Sequence, residues 1–159
     1  MVMTDELKQQ FTRRITNANK SELIVILCDM FDIYVSDAKT ALEDGDQTGF
    51  KNNIRYARAV LSELIDSLNL EYELARNIYQ LYRFVERYLI KADIKLDKTY
   101  LIPCLNIMRK MNESYEKIAK IDPSGPVMKN TEEVYAGMTY GRNDLNENMN
   151  TAYNRGYWA

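Results

Sequence analysis

The sequence predicts an all-α protein: an antiparallel up-down four-helix bundle with a short N-terminal helix and an extended C-terminal tail. Three observations predict it. Apolar residues recur at spacings of three and four through four long segments, the period of a helix face. The connections between these segments are a few residues each, which places consecutive helices side by side and antiparallel. Helix-breaking residues gather at the end: four of the six Gly and two of the three Pro follow Asp122. The chain therefore divides into a helical body over 1–121 and a tail over 122–159.

At the front, Leu7, Phe11 and Ile15 lie four apart and predict a short amphipathic helix over 4–16, able to lie across a groove of the bundle. The first bundle helix is expected over about 20–44. Its segment "LIVILC" would suit a strand, but Leu23, Leu27, Phe31, Tyr34, Ala38 and Leu42 keep the helical period, with Asp29, Asp32, Ser36, Lys39 and Glu43 on the other side. Ser21 or Asn19 can cap its start, and "EDGD" stops it. The second helix, about 48–69, carries Phe50, Ile54, Ala57, Leu61, Leu64 and Leu68. The third, about 71–93, carries Leu74, Ile78, Leu81, Val85, Tyr88 and Ala92. The fourth, about 99–121, carries Leu101, Leu105, Met108, Met111, Tyr115 and Ile118, with Pro103 in its first turn, where a missing N–H costs little.

These stripes do not account for all the apolar residues. From Leu23 to Val35, eleven of thirteen residues are apolar or aromatic. Val25, Ile26, Ile33 and Val35 lie beyond the first stripe, Tyr56, Val60 and Ile65 beyond the second, and Tyr72, Ala75, Tyr79, Tyr82 and Leu89 beyond the third. A bundle helix needs one stripe. The surplus reads either as a wide core or as a groove for a further helix. Tyrosine suits a groove, because its ring packs while its hydroxyl stays wet.

Several chemistries are excluded. The net charge of −2 gives no electrostatic footprint for nucleic acid. No apolar run reaches the ~20 residues that span a bilayer. The start, "MVMTDELKQQ", carries charges where a signal peptide needs its apolar stretch, so a cytoplasmic location is expected. The chain has no His, which removes His-based triads and the usual zinc sites. Cys28 and Cys104 are far apart, each in an apolar run, and read as buried reduced thiols. "DGDQTGFKNNIR" places Asp44, Asp46, Thr48 and Gly49 like a calcium loop, but Arg55 stands where a bidentate Glu is needed. Asp29 and Asp32, one turn apart, read as a solvated face. No enzyme activity, cofactor or metal is expected.

The pattern resembles the FliS family of flagellin export chaperones from Ile15 to about Ile121. "TNANKSELIVILCDMF" is similar to the opening of that family's first bundle helix, and "EDGD" to its first turn. "YARAVLSELIDSL" and "LYRFVERYLIKAD" are similar to its second and third helices. The resemblance implies a cytoplasmic protein that binds the disordered C-terminal segment of flagellin. Such a protein prevents premature polymerisation and helps deliver flagellin to the type III export gate. The partner-binding groove is then expected to draw on Val25, Ile33, Tyr56, Val60, Leu61, Ile65, Tyr79, Tyr82 and Leu89. Leu7, Phe11 and Ile15 are expected to form a displaceable cover. The alternative is a helical interaction or self-associating module with another client; a monomer or weak homodimer fits the first reading. The tail, rich in Asn, Gly and Tyr, is expected to be partly disordered or docked as a strap through Val134, Tyr135, Met138 and Tyr140.

Overall fold

Helix α1 (Asp5–Asn17) leads into α2 (Lys20–Glu43), α3 (Gln47–Asp66), α4 (Glu73–Lys95) and α5 (Leu101–Ile121), with one turn of 3-10 helix, Lys98–Tyr100, before α5. The computed structural model describes residues 2–128, and these are helical with no strand. The strap expected of the tail lies outside the described residues.

Local chemistry sets the ends. The Thr4 side chain accepts from the Leu7 N–H at the start of α1. Asn19 and Glu22 form a reciprocal capping box at the start of α2: Asn19 Oδ1 accepts from the Glu22 N–H at 2.8 Å, and Glu22 Oε1 accepts from the Asn19 N–H at 2.9 Å. The turn between α2 and α3 needs Gly45, whose φ of +80° suits a residue without Cβ. Asp46 then caps α3 by accepting from the Gly49 N–H at 2.9 Å. A Cβ on Gly49 would collide with that same carboxylate, so the cap and the glycine belong together. The link to α4 is closed by Arg76 Nη1, which donates to the Leu70 and Glu71 carbonyls.

α2 packs along α3 and α5, and α4 packs on α3 and α5. Directions follow from the polar pairs. On α2 and α5, Asp29 meets Asn112, Asp32 meets Arg109, and Glu43 meets Lys98 at the turn before α5. Numbers rise on one helix as they fall on the other, so the two run oppositely. Lys51 near the start of α3 likewise meets Asp93 near the end of α4.

The main core is built from Cys28, Phe31, Val35 and Ala38 of α2, Phe50, Ile54, Ala57, Val60, Leu61 and Leu64 of α3, Tyr82, Val85, Leu89 and Ala92 of α4, and Leu101, Cys104, Leu105 and Met108 of α5. This corrects two sequence expectations. On α4 the buried line runs through Tyr82, Val85, Leu89 and Ala92, whereas Leu74 and Leu81 of the expected stripe are 69% and 42% exposed. Both lines share Val85 and Ala92 and differ by a small rotation about the helix axis, which the apolar period does not resolve when two adjacent faces are apolar. The second correction concerns the groove: Val60, Leu61, Tyr82 and Leu89 are sealed in the main core rather than offered to a partner. Tyr82 is accommodated because its hydroxyl pairs with that of Tyr115, satisfying a polar atom that burial would otherwise penalise.

Candidate functional site

α2 has two apolar faces. One faces the main core. The other carries Leu23, Ile26, Met30 and Ile33, and α1 lies on it through Leu7, Phe11 and Ile15, with Met3 just ahead of the helix and Ala18 just after. Phe11, Ala18 and Ile26 form the buried centre of this second cluster. The three residues expected to form a cover are therefore gathered on one face, and Ile33 lies beneath them. Met30 touches both clusters and separates the two apolar layers.

Clefts flank α1. Between α1, α2 and α5 lies a cleft of about 590 Å³, walled by Leu7 and Phe11 on one side and by Ile33, Met108 and Asn112 on the other. A neighbouring cleft of about 550 Å³ opens at the end of α1, where Val25 and Ile26 face Ala119 of α5. On the opposite flank a cleft of about 350 Å³ separates the start of α1 from Tyr34 and Tyr56. The Tyr34 and Tyr56 rings meet at 5.3 Å between centroids. Val25, Ile33 and Tyr56 of the expected groove thus surround α1. Ile65 and Tyr79 do not join them: Ile65 packs against the main core, and Tyr79, on α4, lies under the Arg83 guanidinium.

Polar contacts hold α1 at defined points. Arg14 Nη2 donates to Asp29 Oδ2 at 2.8 Å, and its guanidinium lies 5.3 Å from the centre of the Phe11 ring. Asp29 Oδ1 accepts from Asn112 Nδ2 at 2.8 Å, which ties α5 to the same carboxylate. Arg109 Nε donates to Asp32 at 2.5 Å. Asp29 and Asp32 are therefore ion-paired rather than a bare solvated face, a role that sequence periodicity did not show, because both partners are distant in the chain. Ahead of α1, the Met3 N–H donates to Asp37 Oδ2 at 3.1 Å.

The residues after α5 return to the α1–α2 junction. Asp122 accepts from Ser21 Oγ at 2.5 Å and from the Ser124 N–H and Oγ at 2.9 and 2.6 Å. Asn19 Nδ2 donates to the Ser124 carbonyl at 3.2 Å, and the Val127 N–H donates to the Ala18 carbonyl at 2.9 Å. The Ser124 and Ser21 hydroxyls stabilise the ionised carboxylate and hold Asp122 down to about 2, below its ordinary 3.8.

The site offers no activated nucleophile from its thiols. Burial, reinforced by the charges of Asp29 and Glu116, pushes Cys28 up to about 12, and burial pushes Cys104 up to about 12. Among the described residues no three or more His, Cys, Asp or Glu side chains converge as metal ligands. None of the described helices is long and apolar enough to cross a membrane.

Fold and face together define an all-helical protein with one amphipathic helix laid over a second apolar surface. The family model described as "Flagellar protein FliS" matches residues 3–122, three quarters of the chain and all of the described helices. The chain belongs to the FliS family of flagellar export chaperones, a family of chaperones and not of enzymes. No curated protein gives a significant match to the chain.

Proposed function

We propose that this chain is a cytoplasmic export chaperone that receives the disordered C-terminal segment of flagellin on the face of α2 covered by α1. By holding that segment it prevents premature polymerisation and assists type III export, with the export gate as a further partner. The framework is an up-down four-helix bundle acting as a monomer or weak homodimer. The single observation that carries the reading is the double apolarity of α2 within a chain of this family: a second apolar face, loosely filled by one short helix. A helix of 13 residues is marginal alone, so α1 draws its order from docking and can be exchanged for a client helix. The docked cover lowers the client's apparent affinity, because α1 must leave the face before the client's apolar stripe is buried there.

The client-contacting residues in this reading are Ile26, Met30 and Ile33, with Val25 and Tyr56 at the edges; Leu7, Phe11 and Ile15 form the cover. The test is titration of the full chain with the C-terminal ~40–60 residues of flagellin from the same genome, a length that wraps several bundle-length helices. Saturable binding is expected, with Ile33→Asp weakening it at least about tenfold while helicity is retained. A tenfold loss corresponds to ~1.4 kcal/mol, well within the cost of placing a carboxylate in an apolar contact. No binding by the wild type at high micromolar concentration would refute the flagellin assignment. Unchanged binding by Ile33→Asp would refute the location.

A further inference from the structure

We infer that Asp29, with Asn112 beside it, is the polar anchor of this groove, and that it selects a helix carrying a cationic side chain next to its apolar stripe. The inference rests on the proposed docking face and adds the chemistry of what fits there. Three observations carry it.

The first is the present occupant. α1 presents Leu7, Phe11 and Ile15 at spacings of four, and Arg14, immediately before the third, reaches Asp29 at 2.8 Å. The second is the charge of the wall that stays when α1 leaves. In the larger cleft the residues contributed by α2 and α5 include Asp29, Asp32, Glu113 and Glu116 against the single cation Arg109, which is taken by Asp32. That wall is acidic and complements a basic helix. The third is an acceptor without a donor. Asn112 spends its Nδ2 on Asp29, and its Oδ1 is buried with no hydrogen-bond partner. A buried unpaired acceptor is costly, and Asn112, which carries it, borders the same cleft as Asp29. A guanidinium has five N–H donors and an ammonium has three. Either can serve Asp29 and the Asn112 carbonyl together, which Arg14, bound to Asp29, does not.

The apolar stripe thus provides affinity, while the anchor sets register and orientation. A helix docked in reverse, or slid by one turn, leaves Asp29 facing apolar side chains.

The experiment must separate the anchor from the cover, since Asp29 also holds α1. In an Arg14→Ala chain the cover has already lost its cation, so the effect of adding Asp29→Asn no longer passes through the Arg14 ion pair, while an Asn at 29 can still accept from Asn112. With the flagellin C-terminal segment as probe, Arg14→Ala is expected to bind as tightly as wild type or tighter. Arg14→Ala/Asp29→Asn is expected to bind about 3- to 10-fold more weakly than Arg14→Ala, with a shallower dependence on salt. The second probe needs no flagellin: a peptide of residues 2–19 added to full-length Phe11→Ala, whose own cover is weakened. That chain is expected to prefer the native peptide over its Arg14→Glu form, and Phe11→Ala/Asp29→Lys is expected to reverse the preference. Circular dichroism confirms that each variant keeps its helicity. If flagellin fails to bind while the peptide preference and its reversal hold, the client assignment falls and the anchor stands. If flagellin binds but Asp29→Asn changes affinity by less than twofold in the Arg14→Ala chain, the anchor is overturned. It is equally overturned if the peptide fails to bind or shows no preference between its two forms.

Discussion

Replacing Phe11 with Ala separates a displaceable cover from an integral fifth helix. Phe11 is 5% exposed and sits at the centre of the α1–α2 cluster with Ala18 and Ile26, outside the main core. Truncating a buried Phe in a closed core costs about 3–5 kcal/mol. Here the ring is packed against one neighbouring helix, beside clefts that already admit solvent, so about 2–3 kcal/mol is the better figure. That amount should come almost entirely from α1 docking, because none of the main-core contacts is touched. At ~1.4 kcal/mol per factor of ten, the undocked population rises about 30- to 150-fold. Hydrogen exchange is the direct assay. Amides of α1 should lose protection by that factor, while those in α2 and α5 keep theirs. The midpoint of thermal unfolding should move by less than ~4 °C. Flagellin affinity should rise by a factor up to that of the undocking, since the competent state is no longer scarce. Suppose instead that Phe11→Ala lowers the thermal midpoint by ~8 °C or more, exposes α1 and α2 amides together and leaves client affinity unchanged. Then α1 is part of the cooperative fold, and the reasoning fails.

The clasp after α5 should respond to acid. Asp122 is held near 2 when folded against an ordinary 3.8, so its support of the α1–α2 junction is complete above about 3.8 and is lost as pH falls towards about 2. Protection of the Ala18 to Ser21 amides should fall through that window, and Asp122→Asn should lack it at neutral pH; an unaltered acid response in Asp122→Asn would show that another group is titrating. In the core, Leu89→Ala should cost about 2–5 kcal/mol by urea denaturation. Tyr82→Phe should cost only about 1 kcal/mol, the hydrogen bond to Tyr115, and a larger loss would mean the hydroxyl has a further role. Cys28 and Cys104, buried and pushed up to about 12, should resist a thiol reagent in the native state and react at the rate of unfolding. Rapid labelling of the folded protein would contradict the burial.

The helical periods, a cap at Asn19 or Ser21, the stop at Gly45 and the first-turn Pro103 were all readable one residue at a time, because each depends on neighbours within four positions, and the structure chose Asn19. So was the surplus of apolar residues on α2, and so was the grouping of Leu7, Phe11 and Ile15. Which surplus residues belonged to a core and which to a second face was not readable. Tyr82 and Leu81 are adjacent, and a rotation of α4 by part of a turn decides which is sealed; that rotation is set by how α3 and α5 pack against it, not by anything local. Asp29 looked like plain surface because its partners, Arg14 and Asn112, are 15 and 83 positions away. The amino-acid sequence alone therefore determined the helices and their excess of apolar surface, since these are short-range properties of the chain. The tertiary structure decided where the excess lies, which helix packs on it and which carboxylate pairs with that helix, since those depend on helices meeting across the fold.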